Sequence, residues 1–184
     1  MPNYAPLTKS GCVLVVVDIQ EKLLPAIHEF QKVLDRSVRI VKGAQILGVP
    51  TIFTQQYSKG LGETHADLRR LVPEFAFVEK TQFNAFCVPE FDEKIGALKT
   101  ETLIFIGTEA HICVCQTALE ALHRGYDVHV LADAVGSRTT ANKEIGLARI
   151  RQAGGIISAT ELALYEWVGS ADSEEFKAIL PLVK

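Results

Sequence analysis

Residues 12–18 read Cys-Val-Leu-Val-Val-Val-Asp, six apolar residues without a polar interruption, closed by a carboxylate. A strand with one wet face alternates polar and apolar side chains. A run without alternation belongs to a strand buried on both faces, as in a parallel sheet covered by helices above and below. Asp18 then falls at the carboxyl end of that strand, the edge at which open α/β sheets bind their ligands.

The rest of the chain fits around such a strand. Phe30, Val33, Leu34, Val38, Val41 and Ala44 mark one face at helical spacing, and Gly48 and Pro50 end that helix. Thr51–Thr54 reads as strand two, with Gln55, Gln56 and Tyr57 at its carboxyl end and a loop from Ser58 to Thr64. A short helix is expected over Ala66–Leu71, strand three over Phe75–Glu79 closing with Lys80, and a helix over Glu90–Leu98. Strand four covers Thr102–Ile106, and a helix from Ile112 to Arg124 is stopped by Gly125. Strand five covers Asp127–Leu131 and closes with Asp133. A helix over Lys143–Ala153, strand six at Ile156-Ile157 and a helical tail broken near Gly169 complete the pattern. Alternation over short connections predicts an α/β fold of three layers, α/β/α and Rossmann-like. Its sheet has six mainly parallel strands with helices on both faces, and residues 1–184 form one domain.

Three chemically active side chains then stand at the carboxyl ends of three strands: Asp18, Lys80 and Cys113. Cys113 falls in the first turn of a helix, where unpaired N–H groups and the helix dipole favour a thiolate. Together the three describe a nucleophile, a base that takes and returns its proton, and a cation that steadies negative charge. Backbone N–H groups at the helix start are candidates for an oxyanion hole. Gln20, Gln56, Asn84, Phe86 and His111 neighbour these three in sequence and are candidate substrate contacts. Each of the three also has a structural alternative: Asp18 as a turn cap, Lys80 as an exposed strand end, Cys113 as a buried core thiol. Asp133 reads as a cap for the turn that follows it. Cys113 and Cys115, two apart on a helix, point to different faces and suit neither a shared metal nor a disulfide.

These residues, taken in order, resemble the isochorismatase-like cysteine hydrolases from Val13 to about Trp167. The resemblance is carried by Val17-Asp18-Ile19-Gln20 and by Lys80 followed by Phe83, Asn84 and Phe86, with Asn84 where a serine is more usual. It continues through Gly107–Thr117, Asp133-Ala134 and Ala159-Thr160-Glu161. The form Gly-x-Glu-Ala-His-x-Cys-Val is closer to the uncharacterised branch of that family than to its named enzymes. The resemblance implies a catalytic triad of Asp18, Lys80 and Cys113. It also implies a cis peptide joining Thr108 to Glu109, with the N–H groups of Glu109 and Cys113 forming the oxyanion hole. Nicotinamidases of the superfamily bind zinc through an aspartate and two histidines after strand two. This chain has Gln55, Gln56 and Tyr57 there, with His65 alone further on, so no metal and no cofactor is expected. Isochorismatases proper lack the cysteine. The implied activity is therefore cleavage of an amide-like C–N bond in a small molecule through a Cys113 thioester. The alternative is a catalytically silent binding or assembly protein on the same fold.

Composition narrows the partners. A net charge of -3 provides no attraction for nucleic acid or an anionic membrane. Four cysteines within an α/β pattern point to a reducing compartment, hence a cytoplasmic location, with an organelle left open. The family forms homo-oligomers, and Leu162, Leu164, Tyr165, Trp167 and Val168 are a candidate contact surface. The roles of Cys115 and His111 stay open.

Overall fold

The six side chains of β1 (Cys12–Val17) are all buried, and they alternate between two separate cores. The computed structural model describes residues 6–184. Leu14 and Val16 face one layer of helices, whereas Val13, Val15 and Val17 face the other. Full burial of such side chains contributes roughly 1.5–3 kcal/mol each, so β1 anchors both layers at once.

The other strands are β2 (Thr51–Gln56), β3 (Phe77–Lys80), β4 (Thr102–Thr108), β5 (Asp127–Gly136) and β6 (Ile156–Ser158). They form a single sheet of order β3-β2-β1-β4-β5-β6. Every neighbouring pair is parallel, rather than most of them. The order reverses at β1, which places a crevice between the carboxyl ends of β1 and β4. One layer contains α1 (Phe30–Leu47), which buries Val33, Leu34, Ile40, Val41 and Ala44 and ends at Gly48 in the left-handed conformation. Two short helices follow at the edge of the sheet, α2 (Ser58–Leu61) and α3 (Ala66–Arg69). The opposite layer is built from α4 (Pro89–Ala97), α5 (Cys115–His123) and α6 (Thr140–Gln152). Finally α7 (Thr160–Val168) and α8 (Glu174–Val183) join α1 on its side. Leu164 and Trp167 of α7 lie in that core, leaving Leu162 and Tyr165 of the apolar C-terminal segment exposed.

Several boundaries differ from the sequence-based expectation, each for a physical reason. Ser58–Leu61 is a helical turn within the expected loop, because Ser58 N–H and Oγ both donate to the Glu79 carboxylate. Phe75 packs edge-on against Phe53 instead of opening β3, which starts at Phe77. After Phe105 pairs with Val130, an irregularity intervenes and Gly107 pairs with Val135, so β5 runs on to Gly136. Asp133 therefore lies inside β5 rather than at its end. Cys113 sits on a wide π-helical turn, Ala110–Val114, that precedes α5, in place of the first turn of a regular helix. The Val114 N–H reaches back five residues to the Glu109 carbonyl.

Two glycines fix where this turn can sit. Gly107 has φ +115°, and a Cβ there would come within 2.0 Å of the Val17 carbonyl oxygen, so β1 and β4 converge only without a side chain. At Gly146 of α6, a Cβ would lie 2.7 Å from both the Ala110 oxygen and the His111 Cα. Backbone cannot yield as a side chain does. Gly146→Ala is therefore expected to lower unfolding stability by about 1–3 kcal/mol, read from urea denaturation, by forcing α6 off the π turn.

Candidate active site

The crevice between β1 and β4 draws side chains from four adjacent strands. Asp18 leaves β1 at φ +49°, a left-handed conformation that aspartate tolerates better than most residues. Its backbone is tied across the crevice by Thr108, whose Oγ1 donates to the Asp18 carbonyl at 2.7 Å. Its carboxylate accepts from Thr54 Oγ1 on β2 at 2.6 Å through Oδ1, and from Lys80 Nζ on β3 at 2.6 Å through Oδ2. The Asp18 and Lys80 side chains are both 0% exposed. Lys80 Nζ also donates to Gln56 Oε1 at 2.6 Å.

The third member arrives from the far side of β1. The Cys113 thiol lies close enough to Asp18 and Lys80 for both charges to act on it. Burial, reinforced by the neighbouring carboxylate, pushes it up from its ordinary value of 9.0 to about 12, although Lys80 acts in the opposite direction. The resting sulfur is thus a neutral thiol. This corrects the thiolate expected from the helix start: loss of hydration and a facing carboxylate outweigh the dipole. Asp18 is the carboxylate that faces this sulfur.

The Thr108–Glu109 peptide is cis. Glu109, whose N–H was expected in an oxyanion hole with that of Cys113, directs its carboxylate away to accept from Arg138 N–H at 3.2 Å and Arg138 Nε at 3.1 Å. His111 Nδ1 lies 3.0 Å from Ser137 Oγ, so the π turn is fastened twice to the segment that follows β5. Thr117 Oγ1 donates to the Cys113 carbonyl at 2.7 Å and accepts from Ala85 N–H at 3.1 Å. Thr117 closes the motif that begins at Gly107, whereas Thr54 is not singled out in the sequence. The only signal for Thr54 was its place at the end of the strand beside β1.

The five expected substrate contacts separate. Gln20 is wholly buried, and its amide is engaged by the Gln56 backbone and the Gly62 carbonyl. Asn84 Oδ1 accepts from Phe86 N–H, capping a short 3-10 turn, Ala85–Cys87. Phe86 is core, edge-on to Phe91 and beneath the Arg124 guanidinium. Gln56 touches Lys80, and His111 lies within the π turn that carries Cys113. Asp133 caps α7 rather than an adjacent turn, accepting from Thr160 N–H at 2.8 Å and Thr160 Oγ1 at 3.0 Å. Gln55, in the segment after strand two, bonds Thr64 and Ser58. Among the described residues no cluster of three or more His, Cys, Asp or Glu side chains is arranged to hold a metal ion. All four cysteines are free, and only Cys87 is exposed. A cavity of about 870 Å³ between the starts of α1 and α6 is lined by His28, Arg36, Asp133 and Lys143. It does not include Asp18, Lys80 or Cys113.

Similarity to known proteins agrees with this architecture. The family model for the isochorismatase domain matches residues 12–161. The isochorismatase domain-containing protein 1 of Danio rerio is 33% identical over 183 residues, covering 99% of this chain. This chain spans 63% of the length of that relative. The MAR1 ribonuclease of Caenorhabditis elegans superimposes with a TM-score of 0.92 at 35% identity, covering 97% of this chain and 92% of that one. YcaC from Pseudomonas aeruginosa, solved with hexane-2,5-diol and covalent acrylamide, gives a TM-score of 0.92 at 26% identity, covering 98% and 92%.

Two stability measurements follow. Lys80→Met leaves the buried Asp18 carboxylate without its cation, at an expected cost of about 3–5 kcal/mol in urea denaturation. Folding pushes the Cys113 thiol up from 9.0 to about 12, so above pH 9 the unfolded state releases a proton that the folded state keeps. Its contribution is therefore intact below pH 9 and lost as pH rises toward 12. Cys113→Ala is expected to flatten that alkaline decline.

Proposed function

Because the chain belongs to the isochorismatase family, we propose that it is a cysteine hydrolase of small molecules. In this reading it opens an amide-like C–N bond through a thioester on Cys113, with no metal ion. The single observation that carries the reading is a buried carboxylate–ammonium pair set beside one buried thiol.

The steps balance on these groups alone. As Sγ bonds to the carbonyl carbon, its proton passes to the Asp18 carboxylate, and the negative charge on the carbonyl oxygen is met by N–H groups of Glu109 and Cys113. Collapse breaks the C–N bond, and Asp18 returns the proton to the departing nitrogen, which leaves as ammonia or an amine. Water then gives a proton to Asp18 while its oxygen bonds to the thioester carbon. The C–S bond breaks, the acid is released, and the proton returns to sulfur. Lys80 keeps the carboxylate in place and balances charge on sulfur as it ionises.

Two further facts support the reading. Acrylamide is an electrophile to which thiols add, and YcaC of Pseudomonas aeruginosa carries it covalently on this fold. The nematode neighbour is described as a ribonuclease, yet this chain has 19 basic residues against 22 acidic ones and offers no surplus of positive charge to a phosphodiester backbone.

The test uses p-nitrophenyl acetate, an activated ester that acylates thiols. A burst of nitrophenolate with an acetyl group on Cys113, located by peptide mass, is expected even though Cys87 is the exposed cysteine. The burst should vanish in Cys113→Ala and Asp18→Asn. Between about pH 7 and 9 its rate should stay nearly level. A free-thiolate route would instead climb about tenfold per pH unit toward the thiol's own ionisation. Acetylation mainly at Cys87 would favour the silent binding protein. A screen of metabolite amides, read as acyl-Cys113 adducts, then identifies the substrate.

A further inference from the structure

We propose that Gln56, clamped by Gln20, is a positioning residue that aims the Lys80 ammonium at the Cys113 sulfur; the proposal rests on the cysteine-hydrolase reading above. The clamp is a complete amide-to-backbone pairing. Gln20 Oε1 accepts from Gln56 N–H at 2.7 Å, and Gln20 Nε2 donates to the Gln56 carbonyl at 3.0 Å and to the Gly62 carbonyl at 2.7 Å. The last residue of β2 is thereby held as if a further strand lay beside it, although the chain turns left-handed at Tyr57 immediately afterwards, with φ +40°.

With its backbone held, the Gln56 side chain brackets Lys80. Its Oε1 accepts from Lys80 Nζ at 2.6 Å, and its Nε2 donates to the carbonyl of Thr81, the next residue, at 2.8 Å. That carbonyl fixes which end of the amide is which, since a flipped amide would set NH₂ against the ammonium and oxygen against oxygen. Lys80 has three N–H donors. One goes to Asp18 and one to Gln56, which leaves the third for the neighbouring sulfur, on which the ammonium already acts.

A neutral acceptor is what this position requires. An amide orients the ammonium without adding charge, so Lys80 remains paired with one carboxylate. A carboxylate at position 56 would set two anions on a single cation beside a sulfur that must itself become negative. The glutamine thus acts on Lys80 and has no need to touch the substrate.

The experiment compares the nitrophenolate burst of wild type with Gln56→Glu, Gln56→Met and Gln20→Met, recording an unfolding midpoint for each. At about pH 8, Gln56→Glu should slow acylation of Cys113 by about tenfold or more. The variant-to-wild-type ratio should rise as pH falls below about 4.3, the ordinary glutamate value, where the introduced carboxyl takes up a proton and becomes neutral. Gln56→Met removes the acceptor without adding charge, so its deficit should be smaller and the same at every pH. Gln20→Met should show that smaller deficit too, because it frees the backbone that holds Gln56. A pH-independent deficit shared equally by Gln56→Glu and Gln56→Met would reduce Gln56 to a packing residue and overturn the proposal. If Gln56→Glu does not fold, Gln56→Met decides: a wild-type burst rate in that variant overturns the proposal, and a slowed burst with an unchanged midpoint upholds it. Absence of a burst in wild type itself would instead remove the hydrolase reading on which the proposal stands.

Discussion

The interaction on which the site depends is the ion pair between Asp18 and Lys80, carried by two strands that are not neighbours. β2 lies between β1 and β3. A pair with both side chains 0% exposed gives up two full hydration shells. Mutual attraction offsets that loss only when the remaining lone pairs and protons also find partners. The intervening strand provides them, Thr54 for the carboxylate and Gln56 for the ammonium. The polar residues at the carboxyl end of β2 are the conditions under which the pair can exist. Cys113, brought in from β4, completes a row of groups across four consecutive strands.

The approach of the sulfur is governed by backbone rather than by charge. The absence of a side chain at Gly107 lets β1 and β4 draw together, and Gly146 lets α6 press directly on the π turn. Glu109 and His111 then fasten that turn to the segment after β5. The turn is held on its sheet side, its helix side and its far edge.

Much of this was legible beforehand. An unbroken apolar run ending in Asp18 implies a doubly buried strand, and the alternation of periods places Asp18, Lys80 and Cys113 on one rim. Direction was not legible. Gln20 lies two residues from Asp18, but adjacency in sequence does not reveal that its amide faces backbone. Asn84 and Phe86 follow Lys80 closely, yet one caps a turn and the other fills the core. The extension of β5 past Asp133 depends on an irregularity whose partner residues lie in β4, over twenty positions away. The state of the thiol is not legible for the same reason: dipole and helix position can be read from local sequence, whereas desolvation depends on everything packed around the site.

A sulfur kept protonated by its surroundings has a consequence for life in a cell that contains peroxide. Oxidants and stray heavy metals react with ionised sulfur far faster than with its protonated form. On the hydrolase reading proposed above, Cys113 beside Asp18 would stay unreactive toward them while idle and ionise only as an electrophile arrives to share its electrons. On that reading, the burial that makes the group a poor nucleophile at rest would also shield it from corrosion between turnovers.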